Sequence, residues 1–268
     1  MNPMSRISLP TFAFSIAACT SSSPTSPPSA ADYEDAAQII SSSLVTSNDS
    51  GRAGLGIRGG DLIVFADAVS LARGRLPFGF AREDDRHCHG NLLGVDHAIT
   101  ITCKDAAGTE LAKCDSTTDS ATITLNQTGT LQTPRLTASV DREGTFTITG
   151  LQSDTATFNG DSSFSLDTTL MSVFHPGVTS TLMSDATSSY DSITFTTQDR
   201  QITGGSASFE LSAHRAVTGT PMGSNDVDKS FDVTAEITFN DDQTATLVLD
   251  GTQTFTIDLT TGKITKVS

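Results

Sequence analysis

From about residue 97 onward, apolar and polar positions alternate with a period of two. Ile99 and Ile101 alternate with Thr100 and Thr102, Ile123 and Leu125 with Thr122 and Thr124, and Phe146 and Ile148 with Thr145, Thr147 and Thr149. Phe164 and Leu166, Ile193 and Phe195, then Ala207, Phe209 and Leu211 continue the habit. The clearest run is 231–239, with Phe231, Val233, Ala235, Ile237 and Phe239 on one side. Ala245, Leu247 and Leu249, then Phe255, Ile257 and Leu259, complete it. Such alternation predicts antiparallel strands with one buried and one solvated face. Threonine suits the wet face because its β-branch fits the pleat while its hydroxyl binds water. Asn159-Gly160, Asp241-Asp242, Asp250-Gly251 and Thr261-Gly262 are the predicted turns, since Asn and Gly supply the positive φ of tight hairpins. Residues 176–189 are predicted to be a long loop, and 216–228 a second one.

Before residue 97 the period is helical. Asp32 is placed to cap a helix, with Glu34 and Asp35 in its first turn and Ala36, Ile39, Ile40 and Leu44 on one face. Residues 47–60 are glycine-rich and predict a loop. Asp61 is placed to cap a second helix, with Leu62, Phe65, Ala66, Val69 and Ala72 as its apolar face and Gly74 as its stop. The expected fold is mainly β: a curved antiparallel up-and-down sheet with two short N-terminal helices (about 32–74) packed on its apolar face. A β-sandwich is the alternative.

The first 31 residues have another character. Arg6 precedes the apolar stretch 7–18, which is too short to span a bilayer, where ~20 residues are needed. The stretch ends in Ile16-Ala17-Ala18-Cys19, and a Ser/Thr/Pro tract follows to residue 31. This segment resembles a bacterial lipobox. The resemblance implies that residues 1–18 are a signal peptide, that Cys19 is lipidated, that 19–31 form a tether, and that 32–268 form one β-rich domain. Thr20, not Asp, follows the cysteine, which by the same resemblance implies sorting to the outer membrane, lipid-anchored on its periplasmic or cell-surface face. Ordinary secretion, with cleavage near Ala18 or Ala31, is the competing expectation. Lipobox, Ser/Pro spacer, short helices and Thr-rich strands together are similar in style to β-rich surface lipoproteins of myxobacteria, a group without a characterised role. That likeness implies no activity and no functional residue.

A net charge of −15 disfavours contact with phosphate backbones and with anionic head groups, so the expected membrane contact is the lipid anchor and no nucleic acid is expected as a partner. Trp is absent and Tyr occurs twice, which weakens a carbohydrate-platform reading. Setting Cys19 aside leaves Cys88, Cys103 and Cys114. Export implies an oxidising compartment. Cys103 and Cys114 flank a short segment between strand-like runs and are expected to pair; Cys88–Cys103 and Cys88–Cys114 bridges stay open.

Candidate chemistry is sparse. His87 and His89 fall on one side of an extended chain at a spacing that suits two metal ligands, and His97 offers a third, yet no Cys-x-x-Cys or His-Glu-x-x-His pattern accompanies them. They are weak candidates in a stretch that otherwise reads as a polar loop before the first strand, and no metal or cofactor is expected. The acidic runs 83–85 and 225–228 lack calcium-loop spacing and read as solvated loops. No Gly-x-Ser-x-Gly elbow occurs and His175 and His214 stand apart, so no catalytic residue is assigned. The leading expectation is a non-enzymatic envelope lipoprotein, structural or partner-binding. A carrier of lipid or other apolar ligands is the alternative, recognisable by a cavity between helices and sheet, and a surface hydrolase is the third.

Overall fold

A computed structural model describes residues 27–44, 69–70, 72–76, 80–92, 94–172, 177–219 and 226–267. One helix, α1 (Ala30–Leu44), precedes a single sheet. Its strands are β1 (Phe80–Arg82), β2 (His87–Leu92), β3 (Val95–Lys104), β4 (Ser120–Gln132), β5 (Leu136–Thr149), β6 (Thr155–Met171), β7 (Thr179–Thr196), β8 (Ile202–Thr218), β9 (Val227–Phe239), β10 (Thr244–Leu249), β11 (Gln253–Asp258) and β12 (Ile264–Lys266). Their order in space is their order in the chain, and every described pair is antiparallel. The predicted meander is therefore present as one open, curved sheet. Edge strands β1 and β12 have three residues each, which blunts the edges against pairing with other chains.

The alternation predicted from the sequence is the burial pattern observed. Ile99, Ile101, Ile123, Leu125, Phe146, Ile148, Phe158, Phe209, Val233, Ile237, Leu247 and Ile257 all point inward and are buried. Phe146 and Phe158 stack at 5.2 Å, and Tyr190 meets Phe158 edge-on at 5.7 Å. Helix α1 covers the inner face near β9–β12, burying Ala36, Ala37, Ile40 and Leu44.

Several expectations need correction. Helix α1 starts at Ala30, inside the segment predicted as tether, because Ser29 and not Asp32 caps it. Asp32 instead accepts from the Ser29 hydroxyl at 2.7 Å and from the Ser29 amide, closing a capping box. Of the second predicted helix (61–74), most lies outside the described residues. Residues 69, 70 and 72 are helical, and Val69 and Ala72 are fully buried. The Arg75 amide donates to the Ser70 carbonyl at 2.8 Å across Gly74, whose φ is 76°, so Gly74 ends that turn as expected. Asn159-Gly160 is not a turn: it lies inside β6, opposite a register shift in β7. Residues 179–189 of the predicted long loop are strand β7. Arg86–His89, predicted as loop, runs into strand β2. The turns at Asp241-Asp242, Asp250-Gly251 and Thr261-Gly262 are present, and φ of 46° and 65° at Asp250 and Gly251 fits a tight hairpin. Cys103 and Cys114 are bonded, with Cα atoms 5.4 Å apart, and Cys88 is free and buried. Cys19 and most of the tether lie outside the described residues.

The first turn of α1 is held by charge. Lys229 on β9 pairs with Asp32 and donates to the Ser29 hydroxyl at 3.1 Å, Arg215 on β8 reaches Asp35 at 3.3 Å, and the Tyr33 hydroxyl donates to Asp250 at 2.9 Å. Burial pushes the Asp32 carboxyl up, but hydrogen bonds from Lys229 and Ser29 outweigh it and hold the group below its ordinary range. A carboxylate held low contributes stability that is complete above its unfolded value, about 3.9, and is lost as pH falls through the lower folded value. Lys229→Met is expected to lower stability by about 1–2 kcal/mol near neutral pH. The deficit should shrink in urea melts on the acid side of the folded Asp32 value. An equal deficit at both pH values would show that the pair does not hold the helix.

Candidate functional site

The inner face is apolar almost everywhere except across the middle of β3–β7. His97, Gln127 and Arg142 occupy matched inward positions on three adjacent strands, His97 opposite Gln127 and Gln127 opposite Arg142. All three are buried, Arg142 to 2 % exposure. Beside them, Ser162 and Ser188 face each other across β6 and β7 and share a hydrogen bond of 2.7 Å, and the Tyr190 hydroxyl shares another with Ser188. Ser184 lies further along β7 at 1 % exposure.

His97, Gln127, Arg142 and Ser162 are inward by the regular alternation of their strands, whereas the inward Ser184 and Ser188 depend on a local irregularity in β7. Between Tyr190 and Ile193 the strand carries one extra residue relative to β6, and Ser192 there has φ of 53°. Its amide donates to the Asn159 side chain at 2.7 Å. The extra residue switches phase: even-numbered residues Ser184, Ala186, Ser188 and Tyr190 face in on one side of the bulge, and odd-numbered Ile193 and Phe195 on the other. Gly160 on β6 allows the close approach, since a Cβ there would stand 2.4 Å from the Thr145 carbonyl oxygen.

Between the C-terminal half of α1 and this polar row lies a cavity of ≈260 Å³. Ile39 and Ile40 form its roof, Phe164, Leu166, Ala186 and Phe209 its apolar wall, and Arg142, Ser162, Ser184 and Ser188 its polar floor. Desolvation by the apolar surroundings lowers the Arg142 guanidinium to about 10, so it is still a cation at neutral pH. Burial also raises the Tyr190 hydroxyl above its ordinary value. The Ser184 hydroxyl oxygen is buried and makes no hydrogen bond among the described residues.

A larger depression, ≈720 Å³, lies on the solvated face over β4–β8, where Asn126, Glu143, Asp161, Thr187 and Glu210 project outward. It is an open trough between rows of polar side chains already facing water, and no buried polar group lines it unsatisfied among the described residues.

The sequence candidates fall apart in space. His87 and His89 do share the outer face of β2, flanking the inward Cys88, and His87 bonds Asp84 at 2.7 Å in the β1–β2 turn. His97 points to the opposite face against Phe80 and cannot join them. No cluster of three or more metal-ligating side chains occurs among the described residues. His214 sits at the sheet rim bonded to Asp228 at 2.8 Å, and His175 lies outside the described residues. The Cys88 thiol is pushed up by burial, which keeps it protonated and unreactive.

Arg142, Ser184 and Ser188 were not singled out from the sequence. For Arg142 a signal was present: Val140-x-Arg142-x-Gly144-x-Phe146-x-Ile148 places an arginine in phase with buried positions. No protein family matches the chain, and no curated protein or solved structure is significantly similar to it.

Proposed function

We propose that this protein is a non-enzymatic cell-envelope lipoprotein whose domain binds a small apolar or amphiphilic ligand in the cavity under α1. The observation that carries the proposal is the cavity itself: ≈260 Å³, roofed by a helix, mostly apolar, with a few polar groups converging on its floor. That combination is what small-molecule sites present. The lipobox-like Ile16-Ala17-Ala18-Cys19 supports an outer-membrane address, and the Pro-rich segment after it supports a spacer between lipid and domain. A non-catalytic role is supported by the scatter of the four described histidines, two on the outer face, one inside and one at the rim.

Ligand binding is tested with the full chain carrying Cys19→Ser, which prevents acylation and keeps the protein free of detergent. The neutral fluorophore N-phenyl-1-naphthylamine is expected to bind saturably, about one per chain, as one enclosed apolar site would take it. Ala186 is half-buried on the cavity wall, so Ala186→Phe should fill the space and lower probe affinity at least about tenfold with the far-UV circular dichroism unchanged. Absence of saturable binding to the parent protein would remove the proposal.

A further inference from the structure

The geometry points to a ligand of defined class: a short acyl chain ending in a carboxylate, with Arg142 as counter-ion and the Ser184 hydroxyl as hydrogen-bond donor. The inference rests on the cavity being a ligand site and adds what the ligand must carry. Two independent features support it. The first is a guanidinium at 2 % exposure among serines on the floor of a space whose roof and walls carry Ile39, Ile40, Phe164, Leu166 and Phe209. A planar fork of N–H donors is the side chain best matched to a carboxylate, and a low-dielectric wall strengthens the pairing. The second is the Ser184 hydroxyl, buried, lining the same cavity and without a hydrogen bond among the described residues. Leaving such a group unsatisfied is costly, and a ligand oxygen that accepts from it would recover that cost.

The size of the cavity sets the length of the tail. At ≈260 Å³ it falls just below the ~300 Å³ at which ordinary small-molecule sites begin, so it suits a single short chain and not a two-chain lipid. Ile39, Ile40, Phe164 and Leu166 would enclose that chain. The overall field argues the other way and sharpens the test. A protein of net charge −15 attracts cations and repels anions, so a preference for an anionic amphiphile can come only from a local group.

The experiment displaces N-phenyl-1-naphthylamine from the Cys19→Ser full chain with octanoate, octanol and octyltrimethylammonium. Octanoate is expected to compete roughly tenfold to a hundredfold better than octanol, the range for hydrogen bonds to a charged partner. The cation should compete worst. Arg142→Met should erase the octanoate advantage while the neutral fluorophore still binds, and Ser184→Ala should reduce it several-fold. If octanol or the cation matches octanoate on the parent protein, the anionic head is wrong and the cavity reading stands. If the fluorophore itself does not bind, the cavity reading fails and takes this inference with it. Should Arg142→Met not fold, the three-ligand series on the parent protein decides alone.

Discussion

Deletion of Ser192 is expected to abolish cooperative folding, although the residue is small, exposed and far from any chain terminus. Ser192 is the extra residue that changes the phase of β7. With it, Ser188 and Tyr190 on one side and Ile193 and Phe195 on the other all face inward; without it, one set must turn out. Turning out Ile193 and Phe195, at 1 % and 0 % exposure, would expose two large apolar side chains at about 1.5–3 kcal/mol each. Turning out the other set would expose Tyr190 and dismantle the floor of the cavity. Strand β8 cannot follow either shift, because it changes phase at the same level around Gly204-Gly205, where a Cβ on Gly205 would stand 2.5 Å from the Ile193 Cα. A loss of about 3–6 kcal/mol is comparable to the whole stability of a typical domain. Urea denaturation followed by circular dichroism should show no native baseline for the deletion. Ser192→Gly keeps the residue count and suits φ of 53°, so it should melt like the parent. A deletion variant that unfolds cooperatively at the parent's midpoint would show that the bulge does not set the phase.

The same bulge explains where the sequence was readable and where it was not. Strands such as β9 and β11 carry strict apolar alternation, and the sequence placed them well because burial alone dictated their residues. Strand β7 has Ser184 and Ser188 on its inner face and polar residues outside, so the contrast that marks a strand is lost and the region read as a loop. Its phase change also hides the link between Tyr190 and Phe195. Asn159-Gly160 has the composition of a hairpin turn but serves a close strand approach, since glycine is needed equally for both. The disulfide was legible because both cysteines flank one short segment. The cavity was not, because it lies between the C-terminal half of α1, which packs on β9–β12, and the facing strands β5–β8, a relation between residues about a hundred or more positions apart. The misread stretch of β7 carries Ser184 and Ser188 of the polar floor, as expected if those residues serve binding more than folding.

Phe158→Ala is expected to cost about 3–5 kcal/mol, the usual range for removing a fully buried ring. Phe158 has 0 % exposure, stacks on Phe146 at 5.2 Å with 18° between the planes, and receives Tyr190 edge-on at 5.7 Å. No neighbour can fill the void by a rotamer change alone, because Phe146 and Tyr190 are themselves buried and fixed by Phe209 on the far side of Tyr190, 5.9 Å away. The loss should appear as a lower urea midpoint at unchanged slope, since the surface exposed on unfolding is nearly the same. Phe158→Leu, which keeps more of the volume, should cost roughly half as much. The effect should also reach the cavity. Tyr190 leans on Phe158 and shares a hydrogen bond with Ser188, which bonds Ser162 on the floor. In the alanine variant, assayed well below its melting point, N-phenyl-1-naphthylamine should bind more weakly than in Phe158→Leu. A loss under about 1 kcal/mol would mean that the aromatic cluster is not the centre of this core.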